Sequence, residues 1–98
     1  MSGKLVVIKP DGSTIEHRIE SKRPTLEILK ELVQGWVERV RVRWEGKVRD
    51  AYVDEEGLIK GLQSNRKAIQ LLAPPFDPEM VTIVGTLVIW VPDSKVKN

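Results

Sequence analysis

Arg39, Arg41 and Arg43 stand at alternate positions with only Val40 and Val42 between them. In an extended chain alternate side chains share a face, so this run predicts a ridge of three guanidinium groups. A guanidinium is a planar fork of donors that matches two phosphate oxygens at once, and such a ridge suits bidentate phosphate contacts. Trp44, Trp36 and Tyr52 are close in sequence and could supply a surface on which a base stacks. The plainer reading of the ridge is a solvated face, paired across a sheet with acidic neighbours such as Glu16 and Glu20. Asn65 and Arg66 fall where a loop meets a helix start, a place whose free N–H groups favour anions. Asn65 could read a base edge or a ribose hydroxyl there; its plainer reading is a helix cap.

Other candidate chemistry is sparse. His17 is the single histidine, shares a strand face with Ile15 and Ile19, and reads as structural. Asp54, Glu55 and Glu56 are adjacent carboxylates on a turn, which points to solvation rather than metal binding or proton transfer. Gly57 and Gly61 flank Leu58 to Lys60 like a loop that lets backbone approach a ligand. The Gly-Lys-Ser/Thr ending of a phosphate-binding loop is missing, however, and a need for positive φ explains the spacing equally. The chain has no cysteine, which removes disulfides, thiolate zinc sites and a cysteine nucleophile. No Ser–His–Asp arrangement is hinted at. The reading is a non-enzyme with no metal and no cofactor.

These residues must be carried by a small set of elements. Lys4 to Ile8 and Ser13 to Ile19 read as a hairpin about the Pro10-Asp11-Gly12 turn. Thr25 caps a helix whose Ile28, Leu32 and Trp36 recur at four-residue steps beside Leu29 and Val33, and Gly35 stops it. Residues 37 to 44 alternate, with Val40, Val42 and Trp44 facing one way and the three arginines the other. A Glu45-Gly46 turn leads into a strand from Lys47 to about Val53. Ser64 or Asn65 caps a short helix through Leu72, which Pro74 and Pro75 end. Phe76 to Met80 reads as loop. Val81 to Val91 reads as the longest strand, apolar on both faces and hence central, with Gly85 marking a bulge or a close backbone approach.

The expected fold is α+β: a mixed sheet of about five strands in the order β-β-α-β-β-α-β, with the helices on one face. Residues 1–92 form one domain and 93–98 a frayed polar tail. Two helices, one short, leave part of such a sheet bare, which predicts a homo-oligomer that covers the rest. Hydrophobic residues make up 41% of the 98 and charged residues 31%, an ordinary globular balance. Sixteen basic against fourteen acidic residues leave a net charge of +2, too mild to point to nucleic acid. No apolar run approaches the roughly 20 residues that cross a bilayer, and Met1 to Lys9 lacks the form of a signal peptide. With no cysteine to oxidise, a cytoplasmic setting is expected.

The run Tyr52-Val53-Asp54-Glu55-Glu56-Gly57, then Lys60-Gly61-Leu62, Asn65-Arg66-Lys67-Ala68 and Ile83-Val84-Gly85-Thr86, has a more specific character. It resembles a family of small uncharacterised domains carried by bacteriophages and the bacteria they infect. The likeness extends to the opening strand with Lys9-Pro10 and to the helix ending at Gly35. Gln63-Ser64 departs from it, standing where a Leu-Pro-x-Asn type of sequence is expected. The resemblance implies kinship and a phage setting, and it brings no chemistry with it. Small phage proteins without enzymatic residues block host systems, by masking a host protein or by sequestering a nucleotide defence signal.

The leading expectation is therefore a sponge-like binding protein in the host cytoplasm that captures a phosphorylated small molecule such as a cyclic nucleotide. Arg39, Arg41 and Arg43 would hold phosphate, Trp44 or Tyr52 would stack, and Asn65 and Arg66 would orient. The alternatives are a module that masks a host protein and, after it, weak nucleic-acid binding.

Overall fold

A computed structural model describes residues 2–93. The elements are β1 (Gly3–Ile8), β2 (Thr14–Ile19), α1 (Leu26–Val33), β3 (Val37–Trp44), β4 (Lys47–Asp54), α2 (Gly57–Lys60), α3 (Arg66–Leu71) and β5 (Leu87–Pro92). The strands form one sheet in the order β2-β1-β5-β4-β3. The expected α+β class and five strands are present. The predicted tail falls largely on residues 94–98, outside the described residues.

Two expectations about the sheet are corrected. It is antiparallel throughout, not mixed, because β5 enters between the β1–β2 and β3–β4 hairpins and runs against both β1 and β4. The helices also lie on opposite faces. Side chains alternate along a strand, and β1 sends Leu5 and Val7 to a cluster with Leu29 and Val33 of α1. Its Val6 and Ile8 join Ala68 and Leu72 of the α3 region instead. Both faces thus carry a helix, so neither is wholly bare.

The local chemistry explains most boundaries. The Thr25 hydroxyl accepts from the Ile28 N–H at 3.2 Å, which caps α1 as expected. The helix ends one turn earlier than its apolar stripe suggests. Gln34 takes the left-handed conformation at φ 68°, and Trp36 lies outside the helix, exposed, with the Lys30 ammonium 3.7 Å from its ring centre. Gly35 is required by close approach: a Cβ there would meet the Lys60 Nζ at 2.6 Å and an Asp54 carboxylate oxygen at 2.7 Å. Glu45 and Gly46, at φ 53° and 79°, make the tight turn of the β3–β4 hairpin.

The predicted strand from Val81 shortens to Leu87–Pro92. Gly85 sits at φ 79°, and the segment before it gives its backbone bonds to residues 63–65 rather than to a neighbouring strand. The Asn65 N–H donates to the Ile83 carbonyl at 2.9 Å, and the Gly85 N–H donates to the Gln63 carbonyl at 2.7 Å. Residues 57–60, read as part of a glycine-bounded loop, form the short α2, which Gly61 closes at φ 70°.

Candidate functional site

The arginine run keeps its face. Register pairs Arg39 with Tyr52, Arg41 with Asp50 and Arg43 with Val48, all on the α1 side of the sheet. Helix α1 covers only part of this side. Beyond its N-terminus two depressions of about 520 and 370 Å³ share Asp50 and Trp90 and so form one trough. Arg23, Leu26 and Arg39 border the part nearer the helix, with Tyr52 on its wall. Arg41, Val48 and Pro92 border the other part. Trp90, in the central strand, is 9% exposed and forms the floor. Its ring leans over Gly3 of β1, where a Cβ would come within 2.5 Å of the indole.

The charges in the trough are largely uncompensated. Arg39 lies 3.9 Å from the Asp50 carboxylate in an exposed pair of little strength. Arg23, Arg41 and Arg43 make no ion pair among the described residues. Glu16 and Glu20, the partners a solvated ridge was expected to find, lie with β2 at the opposite edge, where they pair with Lys4 and Arg18. Burial pushes the Tyr52 phenol above its ordinary value of 10.0, and the Asp50 carboxylate pushes it further. Arg39 and Arg23 pull it partly back. The phenol is therefore a neutral donor at physiological pH, set beside guanidinium groups.

The predicted site residues divide into two sets. Arg39, Arg41 and Tyr52 meet in the trough, and Arg43 shares their face without lining it. Trp44 points the other way, into the α3-side core with Ile69, Leu71 and Phe76, so it offers no stacking face here. Its odd-even position opposes that of the arginines, which the alternation already required. Asn65 is fully buried: its amide donates to the Ile8 and Gly85 carbonyls at 2.9 and 2.8 Å, and its oxygen accepts from the Ala68 N–H at 3.1 Å. With its side-chain bonds made inside the protein it is a structural cap, not a ligand group. Arg66 is exposed beside Ser64, Lys67 and the Pro10–Gly12 turn, remote from the trough.

Trp90 and Arg23 line the trough, whereas Trp44 and Arg43 do not. Trp90 carried a usable signal, since its alternation within β5 opposes Leu87, Ile89 and Val91. Placing it beside Tyr52 needs the β4–β5 register, which pairs Tyr52 with Val88. Arg23 precedes α1 in an irregular segment with no periodicity, and nothing in its sequence neighbourhood marks it.

Residues 3–96 match the family described as a domain of unknown function, DUF3846. The chain belongs to that family. No curated protein and no solved structure matches it. DUF3846 membership spans β1 to β5, so the trough is built wholly from residues within the family's domain.

Proposed function

We propose that this DUF3846 protein is a non-enzymatic binding protein that captures a phosphorylated small molecule with a planar body, such as a nucleotide. The observation that carries the reading is the convergence of Arg23, Arg39 and Arg41 on a trough floored by Trp90 and walled by Tyr52. Guanidinium forks hold phosphate oxygens in pairs, and an indole or phenol presents an apolar face to a base. The larger depression, about 520 Å³, falls within the roughly 300–1,000 Å³ that small-molecule sites occupy. Leu26 and Val37 add apolar wall, and the Tyr52 hydroxyl and Asp50 carboxylate can take up a base edge or ribose hydroxyls. Three guanidinium groups, a carboxylate and a phenol suit retention of a ligand more than the making or breaking of a bond. The role that fits the resemblance to phage-borne domains is sequestration of a nucleotide signal in a host cytoplasm.

The test is titration calorimetry with linear and cyclic nucleotides against the wild type and an Arg39→Ala, Arg41→Ala double variant. Removing one charge-assisted hydrogen bond costs about 1.5–3 kcal/mol, so the double variant should bind at least roughly a hundredfold more weakly. Both arginines are exposed, and the melting temperature should barely move. A wild type that binds no member of the panel, or a folded double variant with unchanged affinity, removes the assignment.

A further inference from the structure

We propose that β2 is an interface through which two copies of this chain join their sheets, edge to edge, about a two-fold axis beside His17. The proposal stands independently of the trough. The sheet has two edges, β2 and β3, and they are not alike. The β3 edge is covered in part: the Ala73 N–H donates to the Arg41 carbonyl at 2.9 Å, and Leu72 bridges to Val42. The outer side of β2 faces no strand or loop backbone among the described residues, and all its residues but Ile19 are exposed. An open row of N–H and C=O groups is a template for another strand, and proteins guard such rows with charge.

The charges on β2 select one partner and one register. The Lys9 N–H donates to the Ser13 carbonyl at 2.9 Å, and the register runs from Ile8–Thr14 to Gly3–Ile19. The alternation of an antiparallel ladder then turns the backbone groups of Ile15, His17 and Ile19 inward to β1. Those of Thr14, Glu16 and Arg18 face outward. A second β2 pairing antiparallel with this outer row covers most of the strand only when centred on Glu16 or His17; centres on Arg18, on Ile15 or nearer an end pair half of it or less. Centred on Glu16, it opposes two carboxylates; centred on Arg18, it opposes two guanidinium groups. Centred on His17, it sets Glu16 opposite Arg18 of the second copy twice, as a hydrogen-bonded pair of positions. The same register sets Ile15 opposite Ile19 of the second copy twice, on the α1 side. Like charges directly opposite destabilise a strand pair and opposite charges stabilise it, so of the two registers that pair most of the strand the His17-centred one is favoured.

The side chains are free to make these pairs. Glu16 and Arg18 are each 56% exposed at the side chain. Their present partners, Lys4 for Glu16 and Glu20 and Asp93 for Arg18, lie in exposed pairs of little strength and extend the alternation of charge across the junction. Ile15, 42% exposed as the chain stands, gains an apolar neighbour. The product is a continuous ten-stranded sheet whose remaining edges are the two partly covered β3 strands.

The experiment measures dimer strength by sedimentation velocity over a range of concentrations, for wild type, Glu16→Arg, Arg18→Glu and the double exchange. Each single reversal replaces two attractive pairs by two repulsive ones and should weaken the dimer roughly tenfold or more. The double exchange should return it to near wild-type strength, which also shows that the single variants fail for reasons of pairing and not of folding. Since the chain has no cysteine, a His17→Cys variant provides a second reading. At a non-hydrogen-bonded position on the axis the two Cα atoms approach to about 4.5 Å, and mild oxidation should trap a disulfide-linked dimer. A Thr14→Cys variant, well away from the axis, should not cross-link. A wild type that stays monomeric throughout, a dimer indifferent to the reversals, or cross-linking that favours position 14 overturns the proposal.

Discussion

The two faces of the sheet use polar side chains in opposite ways. On the α3 side a single fully buried asparagine ties together three segments: the end of β1, the start of α3 and the turn at Gly85. Each of its polar atoms has a partner, as burial demands. On the α1 side Arg39 and Arg41 of β3 and Arg23 border the trough floored by Trp90, with a single weak ion pair among them. The first arrangement completes the protein; the second leaves donors and an aromatic surface facing outward. A guanidinium excess that the fold itself does not use is what makes the α1 side the candidate site, more than the count of charges in the sequence.

The sharpest way to break this contrast is Asn65→Leu, which keeps bulk and removes every side-chain bond. The Gly85 carbonyl and the Ala68 N–H lose their Asn65 partner in the core and the Ile8 carbonyl loses one of its donors, at a cost of about 3 kcal/mol. For a domain of this size that lowers the melting temperature by roughly 12–24 °C. A variant that melts within a few degrees of wild type would mean that Asn65 does not close the α3 side. Arg41→Ala on the other face should change stability by less than about 0.5 kcal/mol. Equal losses at the two positions would erase the distinction between a structural face and a candidate binding face.

Within the α1 side the same contrast recurs on a smaller scale. At the end remote from the trough, Lys60 donates to the Asp54 carboxylate at 2.6 Å and to the Gln34 carbonyl at 3.1 Å. The other Asp54 oxygen accepts from the Glu56 N–H at 2.8 Å. Burial works to raise the Asp54 acid, but these bonds and the Lys60 charge outweigh it and hold the carboxyl below its ordinary 3.8. A carboxyl with a lowered folded-state value contributes stability above the unfolded value, and the contribution disappears as the pH falls through the folded one. Asp54→Asn should therefore cost about 1–2 kcal/mol near neutral pH, with the deficit against wild type shrinking below about pH 4. Urea unfolding at both pH values reads this directly. A deficit that is the same at both would show that the charge of Asp54 does not tie α1 to β4.

Alternation was the most reliable guide in the sequence. It placed Val40 and Val42 against the core, the arginines on the other face, and His17 with Ile15 and Ile19, while cap chemistry placed Thr25 at the start of α1. Alternation failed where backbone bonds leave the regular ladder: Val81 to Thr86 alternates like a strand, yet Asn65 and Gln63 take its carbonyls and N–H groups. The same hidden partnership made Asn65 look available. Half of the trough was legible for a related reason. Arg39, Arg41 and Tyr52 lie in one hairpin whose register a two-residue turn sets, whereas Trp90 and Arg23 arrive from distant segments. Which helix covers which face depends on how strand parity meets each helix in the folded chain, and no local pattern encodes it.

The smallest effect gives the most local reading of the trough. Tyr52 is the only tyrosine, so the rise of phenolate absorbance with pH reports on it alone. Burial and the Asp50 carboxylate both hinder its ionisation, while Arg39 favours it. Asp50→Asn should therefore move the titration to lower pH than wild type, and Arg39→Ala should move it to higher pH. A phosphorylated ligand seated among the arginines adds negative charge beside the phenol and should also raise its titration. If Asp50→Asn leaves the curve in place, Asp50 and Tyr52 do not share a wall, and the two depressions are separate surface features. If the curve shifts as expected but no ligand moves it further, the trough exists and the phosphate reading of it fails.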